Sequence, residues 1–168
     1  MRTLLMIPLL LYPLPLLMGY FIPDKPPIMI TYSDRNRIKT KVIFRNDFEC
    51  LLEAIYWEAR SETIEGMIAV ANTIMNRVRS AGFPKTICGV VYQPHQFSWV
   101  FNPQKNIDIH KAAFDIAKKV AAYVLENDEV DNTDNALYYH TVDIYPPKWT
   151  KQLEPTVTLG RHVFYAQK

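Results

Sequence analysis

The sequence predicts an α+β fold, mostly helical with a small antiparallel sheet at one side, and three observations carry that expectation. Two amphipathic helical patterns meet at Trp57-Glu58-Ala59-Arg60-Ser61-Glu62. A third long helical pattern follows, starting at Asp108. The last third of the chain then changes period, from helical spacing to alternation.

The first helix is read from Asn46, an N-cap with Glu49 three residues on to complete a capping box. Phe48, Leu51, Leu52, Ile55 and Ala59 recur at i, i+3, i+4, i+7 and form one buried face. Glu53 falls on the opposite side, where a solvated carboxylate belongs. Glu58 lies seven residues after Leu51, within roughly 20° of the same direction. A carboxylate on the apolar stripe has two readings. It is a buried acid, held protonated by desolvation and able to protonate a leaving group. Alternatively it marks the frayed helix end and meets water or pairs with Arg60.

The second helix is read from Thr63 as N-cap to about Arg79. Ile64, Met67, Ile68, Ala71, Ile74, Met75 and Val78 fill its apolar face. Arg77 and Arg79 suit the negative end of its macrodipole. Asn76, beside that face, either holds a backbone loop or contacts a substrate. Ser80-Ala81-Gly82-Phe83-Pro84 stops the helix. A short helix is expected over Lys85–Tyr92, before the hydrogen-bonding and aromatic loop Gln93-Pro94-His95-Gln96-Phe97-Ser98-Trp99. Asp108 is read as the cap of the third long helix, which buries Ala112, Ala113, Ile116, Ala117, Val120, Ala121 and Val124. Residues 127–135 form a polar, acidic loop. Ala136–His140, Val157–Leu159 and His162–Tyr165 read as strands, the last two joined across Gly160-Arg161. Tyr145-Pro146-Pro147-Lys148-Trp149 is a rigid connection.

Upstream, Arg2 and the uncharged apolar run from Leu4 to Ile22 read as a signal peptide or membrane anchor, although Pro8, Pro13 and Pro15 spoil a regular helix. Residues 23–45 read as a linker with one short extended piece near Lys41–Phe44, leaving 46–168 as the catalytic domain. The expected location is exported: periplasm, cell envelope or extracellular. The expected partner of the first segment is the membrane or the secretion machinery. With 168 residues and a net charge of +2, the chain holds one domain and shows no nucleic-acid footprint. Cys50 and Cys88 either form one disulfide in an oxidising compartment or remain two buried thiols. No two of His95, His110, His140 and His162 have the spacing of a helical zinc motif, and no Gly-x-Ser-x-Gly elbow occurs, so no cofactor or metal is expected.

These residues carry a family resemblance. Cys50–Val78, with Trp57-Glu58-Ala59-Arg60-Ser61-Glu62 inside it, resembles the opening signature of the SleB-type cell wall hydrolases, which include spore-cortex-lytic enzymes. The likeness continues through Phe83–Tyr92, Gln96-Phe97-Ser98-Trp99, Ala136-Leu137-Tyr138-Tyr139-His140, Lys148-Trp149 and Gly160–Tyr165. One departure is Ser61, where the family usually has Gly; the turn must avoid positive φ or accept strain. The resemblance implies a lysozyme-like, lytic-transglycosylase-like fold and cleavage of peptidoglycan glycan strands between N-acetylmuramic acid and N-acetylglucosamine. It implies Glu58 as catalytic acid. Arg60, Glu62, Asn76, Gln96, Phe97, Ser98, Trp99, Tyr139 and His140 are the candidates for substrate binding or support, with Tyr139 and His140 beside the developing charge, Glu62 holding the turn and orienting Arg60, and Phe97 alternatively a core residue. No second acid pairs evidently with Glu58, which favours a transglycosylase forming 1,6-anhydro-muramoyl ends. The alternatives are an N-acetylmuramoyl-L-alanine amidase and a non-catalytic peptidoglycan-binding protein on the same fold.

The first expectation open to test is export. Residues 1–30 fused to a reporter should carry it out of the cytoplasm, and fractionation that finds the reporter inside would overturn the reading.

Overall fold

Asn46 opens helix α1, Asp47–Ala59, through the expected capping box: the Glu49 backbone N–H donates to Asn46 Oδ1 at 2.8 Å and the Asn46 N–H to Glu49 Oε2 at 3.2 Å. The computed structural model describes residues 28–34, 37–43, 46–101 and 110–168. The buried face of α1 is wider than the predicted stripe, because Cys50, Ala54 and Tyr56 join Leu51, Leu52, Ile55 and Ala59 in the core. Three helices flank α1, so more than one side of it meets protein. These are α2 (Ile64–Arg79), α3 (Ile87–Val91) and α4 (Lys111–Glu126).

Helix α2 is the centre of the fold. Thr63 caps it, accepting from the Gly66 N–H at 3.2 Å, and of the residues from Gly66 to Arg77 only Ile68 is not buried. A helix buried nearly all round must be apolar or have every polar group answered. Thr73 back-bonds to the Ala69 carbonyl at 3.0 Å. Asn76 Nδ2 donates to Asp131 Oδ2 at 2.9 Å, and lies 3.2 Å from both Thr133 Oγ1 and the Ala136 carbonyl. Of its two predicted roles, Asn76 therefore has loop-holding. Asp131 in turn accepts from Thr133 N–H (2.8 Å), Thr133 Oγ1 (2.6 Å) and Asn135 N–H (2.7 Å). Burial alone would raise its pKa, but these hydrogen bonds and that from Asn76 outweigh it and hold it below the usual aspartate range. The stability this supplies is present above the unfolded-state pKa and is lost as pH falls through the folded one. The loop places Asp134 and Asn135 at positive φ and delivers the chain into strand β3, Tyr138–Thr141.

The sheet has the order β3-β5-β4, with β4 (Leu153–Leu159) and β5 (His162–Gln167) antiparallel neighbours joined across Gly160-Arg161. Gly160 takes φ +58° at the first turn position. β3 pairs with β5 in the register Tyr139↔Phe164 and His140↔Val163. Alternation sends Tyr139, His162 and Phe164 to one face, where Phe164 is fully buried, and Tyr138, His140 and Tyr165 to the other. A 3-10 turn, Lys148–Gln152, occupies the predicted Pro-rich connection and feeds β4.

Several expectations are corrected. Residues 23–45 hold not one short extended piece but a hairpin, β1 (Ile28–Asp34) pairing with β2 (Arg37–Ile43) in full register. His110 caps α4 with its own side chain, accepting from Ala113 N–H, while Asp108 lies outside the described residues. Ile64 and Ile116 are exposed, and so is Ala112, because the wheel assigned a wider apolar face than the neighbours cover. Glu53 is half-buried and accepts from the Tyr92 hydroxyl rather than facing only water. Ser61 is not among the residues at positive φ, so its turn avoids the strain that the missing Gly raised. Residues 1–22 lie outside the described residues, within which no helix is long and apolar enough to cross a membrane.

Cys50 and Cys88 form a disulfide across 38 residues of chain, tying α1 to α3. A loop of that size is worth about 3–4 kcal/mol in the chain-entropy account. Reduction, or Cys50→Ala with Cys88→Ala, should lower unfolding free energy by that order in denaturant titrations; an unchanged midpoint would show that the cross-link adds nothing.

Candidate active site

Glu58 sits in the last turn of α1, and the wheel that put it on the stripe of Leu51 holds: its side chain is half-buried and aimed at the sheet. Three groups from three other elements act on the carboxylate. The Tyr139 hydroxyl, from β3, donates to Glu58 Oε2 at 3.0 Å. The buried Trp99 indole, from the 3-10 turn Ser98–Phe101, also favours the charged form, more weakly than Tyr139. The Arg77 guanidinium, from the end of α2, acts at longer range through its charge. Burial raises the Glu58 pKa above the usual glutamate range, and the three neighbours pull it back only in part. None of them is an acid. The folded state thus binds this proton more tightly than the unfolded chain. The stability that follows is complete below the unfolded-state pKa and is lost as pH rises through the folded one.

Arg77 is the residue that sequence reading placed wrongly. It is not a surface partner of the helix dipole but a buried cation. Its Nε donates to the Leu137 carbonyl at 2.7 Å, and its guanidinium lies 5.5 Å from the Phe83 ring centre and 5.8 Å from that of Tyr138. The signal was available: Arg77 is seven residues after fully buried Val70, the relation that flagged Glu58 against Leu51. Tyr139, for its part, is kept protonated, since burial and the nearby Glu58 charge raise its pKa well above the ordinary phenol value.

The other predicted site residues divide. Glu62 does not orient Arg60; its Oε2 accepts the Arg161 backbone N–H at 2.8 Å, clasping the β4–β5 turn to the start of α2. Gly160 suits the positive φ of this turn, and a Cβ added there would push the Glu62 carboxylate off the Arg161 N–H. Arg60 is exposed, 5.2 Å from the Trp57 ring and 5.4 Å from that of Tyr56. Phe97 is a core residue stacked on Trp99 at 5.8 Å, so neither ring offers a free face to a sugar. Ser98 is exposed and Gln96 half-buried. His140 does not join Glu58. It stands on the opposite sheet face, with Nε2 3.0 Å from the Tyr165 hydroxyl and Nδ1 2.8 Å from the Thr141 carbonyl. His162, which sequence reading passed over, packs edge-on to Tyr139 at 5.0 Å, and burial lowers its pKa. Among the described residues no group of three His, Cys, Asp or Glu side chains gathers as a metal site would require.

A mostly helical domain with a small antiparallel sheet and an acid buried at their junction belongs to the lysozyme-like class of fold. Within it, the chain is a member of the cell wall hydrolase family, whose signature matches residues 61–165. That match begins just past Glu58, while the longer pairwise comparisons span more of the chain. A spore cortex-lytic enzyme of Bacillus cereus is 36% identical over 120 residues, covering 71% of this chain and 44% of that protein. Its counterpart in Bacillus subtilis is 31% identical, covering 71% and 37%. The chain thus spans less than half the length of these curated relatives. Among solved structures, the catalytic domain of the germination-specific lytic transglycosylase SleB from Bacillus anthracis is 34% identical, with TM-score 0.60 over 73% of this chain and 95% of that one. The Bacillus cereus SleB catalytic domain is 33% identical, with TM-score 0.57 over 72% and 90%.

The donor set makes a signed prediction. Tyr139→Phe removes a hydrogen bond made to the charged form, so the Glu58 pKa should rise further. A carbon-detected NMR titration of the Glu58 carboxyl should show its midpoint move to higher pH; a midpoint that falls or stays would break this account.

Proposed function

We propose that this chain cleaves the glycan strands of peptidoglycan as a lytic transglycosylase, with Glu58 serving in turn as acid and base. The observation that carries the reading is the Glu58 environment: a desolvated carboxyl with neutral and cationic neighbours and no acid among the groups acting on it. The names of its relatives, spore cortex-lytic enzyme and germination-specific lytic transglycosylase, point the same way.

The chemistry follows from that environment. An ordinary glycosidase sets a second carboxylate opposite the first as nucleophile or base. With one acid, the route is intramolecular. Protonated Glu58 gives its proton to the glycosidic oxygen as the bond to the anomeric carbon breaks. The Glu58 carboxylate then takes the proton from the sugar's own C6 hydroxyl as that oxygen closes on the anomeric carbon, leaving a 1,6-anhydro end. Intramolecular attack can stand in for an activated water because effective molarities reach about 10⁵–10⁸ M. Between the two steps the carboxylate is held by the Tyr139 hydroxyl, the Trp99 indole and the Arg77 charge. Burial favours the acid form and these donors favour the base form, so one residue can serve both steps. Ser98, Gln96 and Arg60, solvent-accessible in the candidate segments, are the side chains proposed to meet sugar hydroxyls. The Cys50–Cys88 disulfide supports export to an oxidising compartment, with residues 1–22 as signal or anchor.

Glu58→Gln keeps shape and removes the transferable proton. Turnover on purified peptidoglycan should fall by about 10²–10⁴-fold with unchanged melting, and the basic limb of the pH–rate profile should vanish. Glu53→Gln, bonded to Tyr92 instead, should retain activity. Mass spectrometry of the digest should find 1,6-anhydro-muropeptides. New amino termini in their place would identify an amidase, and undigested but retained peptidoglycan a binding protein.

A further inference from the structure

On the sheet face opposite Glu58, a cavity of about 270 Å³ is lined by Tyr138, Trp149, Gln152 and Leu153. We propose that it is a second saccharide site, binding a sugar ring of the same glycan strand away from Glu58; this rests on the peptidoglycan reading above. The site is built rather than incidental. Trp149 and Gln152 lie three residues apart in a 3-10 turn, where i and i+3 eclipse, so an indole and a carboxamide face the same way. The Thr150 N–H and hydroxyl both bond the Pro147 carbonyl, at 3.0 and 2.8 Å, and fix that turn. Behind the indole, Tyr165 meets Trp149 edge-on at 5.6 Å, and its hydroxyl is engaged by His140 Nε2. Tyr138 closes the wall at 5.9 Å from Trp149.

The chemistry fits a sugar. A pyranose presents an apolar C–H face and a rim of hydroxyl and amide groups, matching aromatic walls with one carboxamide that both donates and accepts. Trp149 stays 38% exposed and Tyr145, on the preceding Pro-rich segment, 92% exposed, which leaves aromatic surface free for a ligand. Lys148 and Lys151, exposed and likewise three apart, favour a glycan bearing carboxylates. Of the acids on neighbouring segments, Asp143 is paired with Arg161 and Glu154 faces solvent.

Topology joins the two sites. β3 is an edge strand, and Tyr138 and Tyr139 are successive residues of it, their Cα atoms about 3.8 Å apart and their side chains on opposite faces. A polymer rounding that edge meets Glu58 on one side and Trp149 on the other.

The test uses the full chain. In the uncleaving Glu58→Gln background, Trp149→Ala should weaken retention on purified sacculi by about tenfold, the scale of one anchor contact. In the active enzyme the same change should raise KM on long strands by a similar factor and leave kcat within about twofold. Melting curves check that Trp149→Ala folds, and if it does not, Gln152→Ala, with about a threefold loss expected, decides alone. Unchanged retention and KM in a folded variant would overturn the site. So would Trp149-dependent binding to phosphatidylglycerol vesicles without binding to sacculi, which would assign the surface to a membrane. Full activity of Glu58→Gln would instead overturn the mechanism, while sacculus retention would still report on this face.

Discussion

The hydrogen bond from the Tyr139 hydroxyl to Glu58 is the contact on which the rest of the architecture turns, because it is where the helical layer and the sheet agree on one position. Glu58 is fixed by α1, whose start is set by the Asn46 capping box and whose flank is tied to α3 by the disulfide. Tyr139 is fixed by β3, which the 131–137 loop leads into directly. The carboxyl is thus desolvated by two elements distant in sequence, and its raised pKa is a property of their junction rather than of either one.

Buried polar groups on α2 hold that junction. Asn76 and Arg77 are consecutive residues that reach the two ends of the same stretch, Asn76 to Asp131, Thr133 and Ala136, and Arg77 to Leu137. A buried amide and a buried guanidinium are costly unless answered; Asp131, Thr133 and the Ala136 carbonyl answer the amide, and the Leu137 carbonyl answers the guanidinium through Nε. Arg77 is at once a structural strut and a positive charge near Glu58, which couples loop order to the electrostatics of the acid. At the β4–β5 turn, Glu62 accepts the Arg161 N–H and sits against Gly160, where an added Cβ would meet its carboxylate. The sheet is thereby anchored to the α1–α2 junction at two points, Tyr139 and Arg161.

Local rules alone determined a large part of this protein. Capping residues fixed the starts of α1 and α2, apolar periodicity fixed their inner faces, and the wheel singled out Glu58 as a carboxylate on a buried stripe. The two-residue turn at Gly160-Arg161 fixed the last hairpin. These features are legible because each depends on neighbours within a few residues, where helix and strand geometry leave little choice. The tertiary structure decided what meets across longer spans. It made Arg77 a buried cation, turned Phe97 and Trp99 into the core, set His140 on the face away from Glu58, and gave Glu62 to Arg161 instead of Arg60. It also paired Cys50 with Cys88, which spacing left open. Arg77 apart, whose spacing from Val70 on α2 carried a signal, none of these could be read from a single helix or strand, because whether a polar side chain is buried, and which partner answers it, depends on the element packed against it.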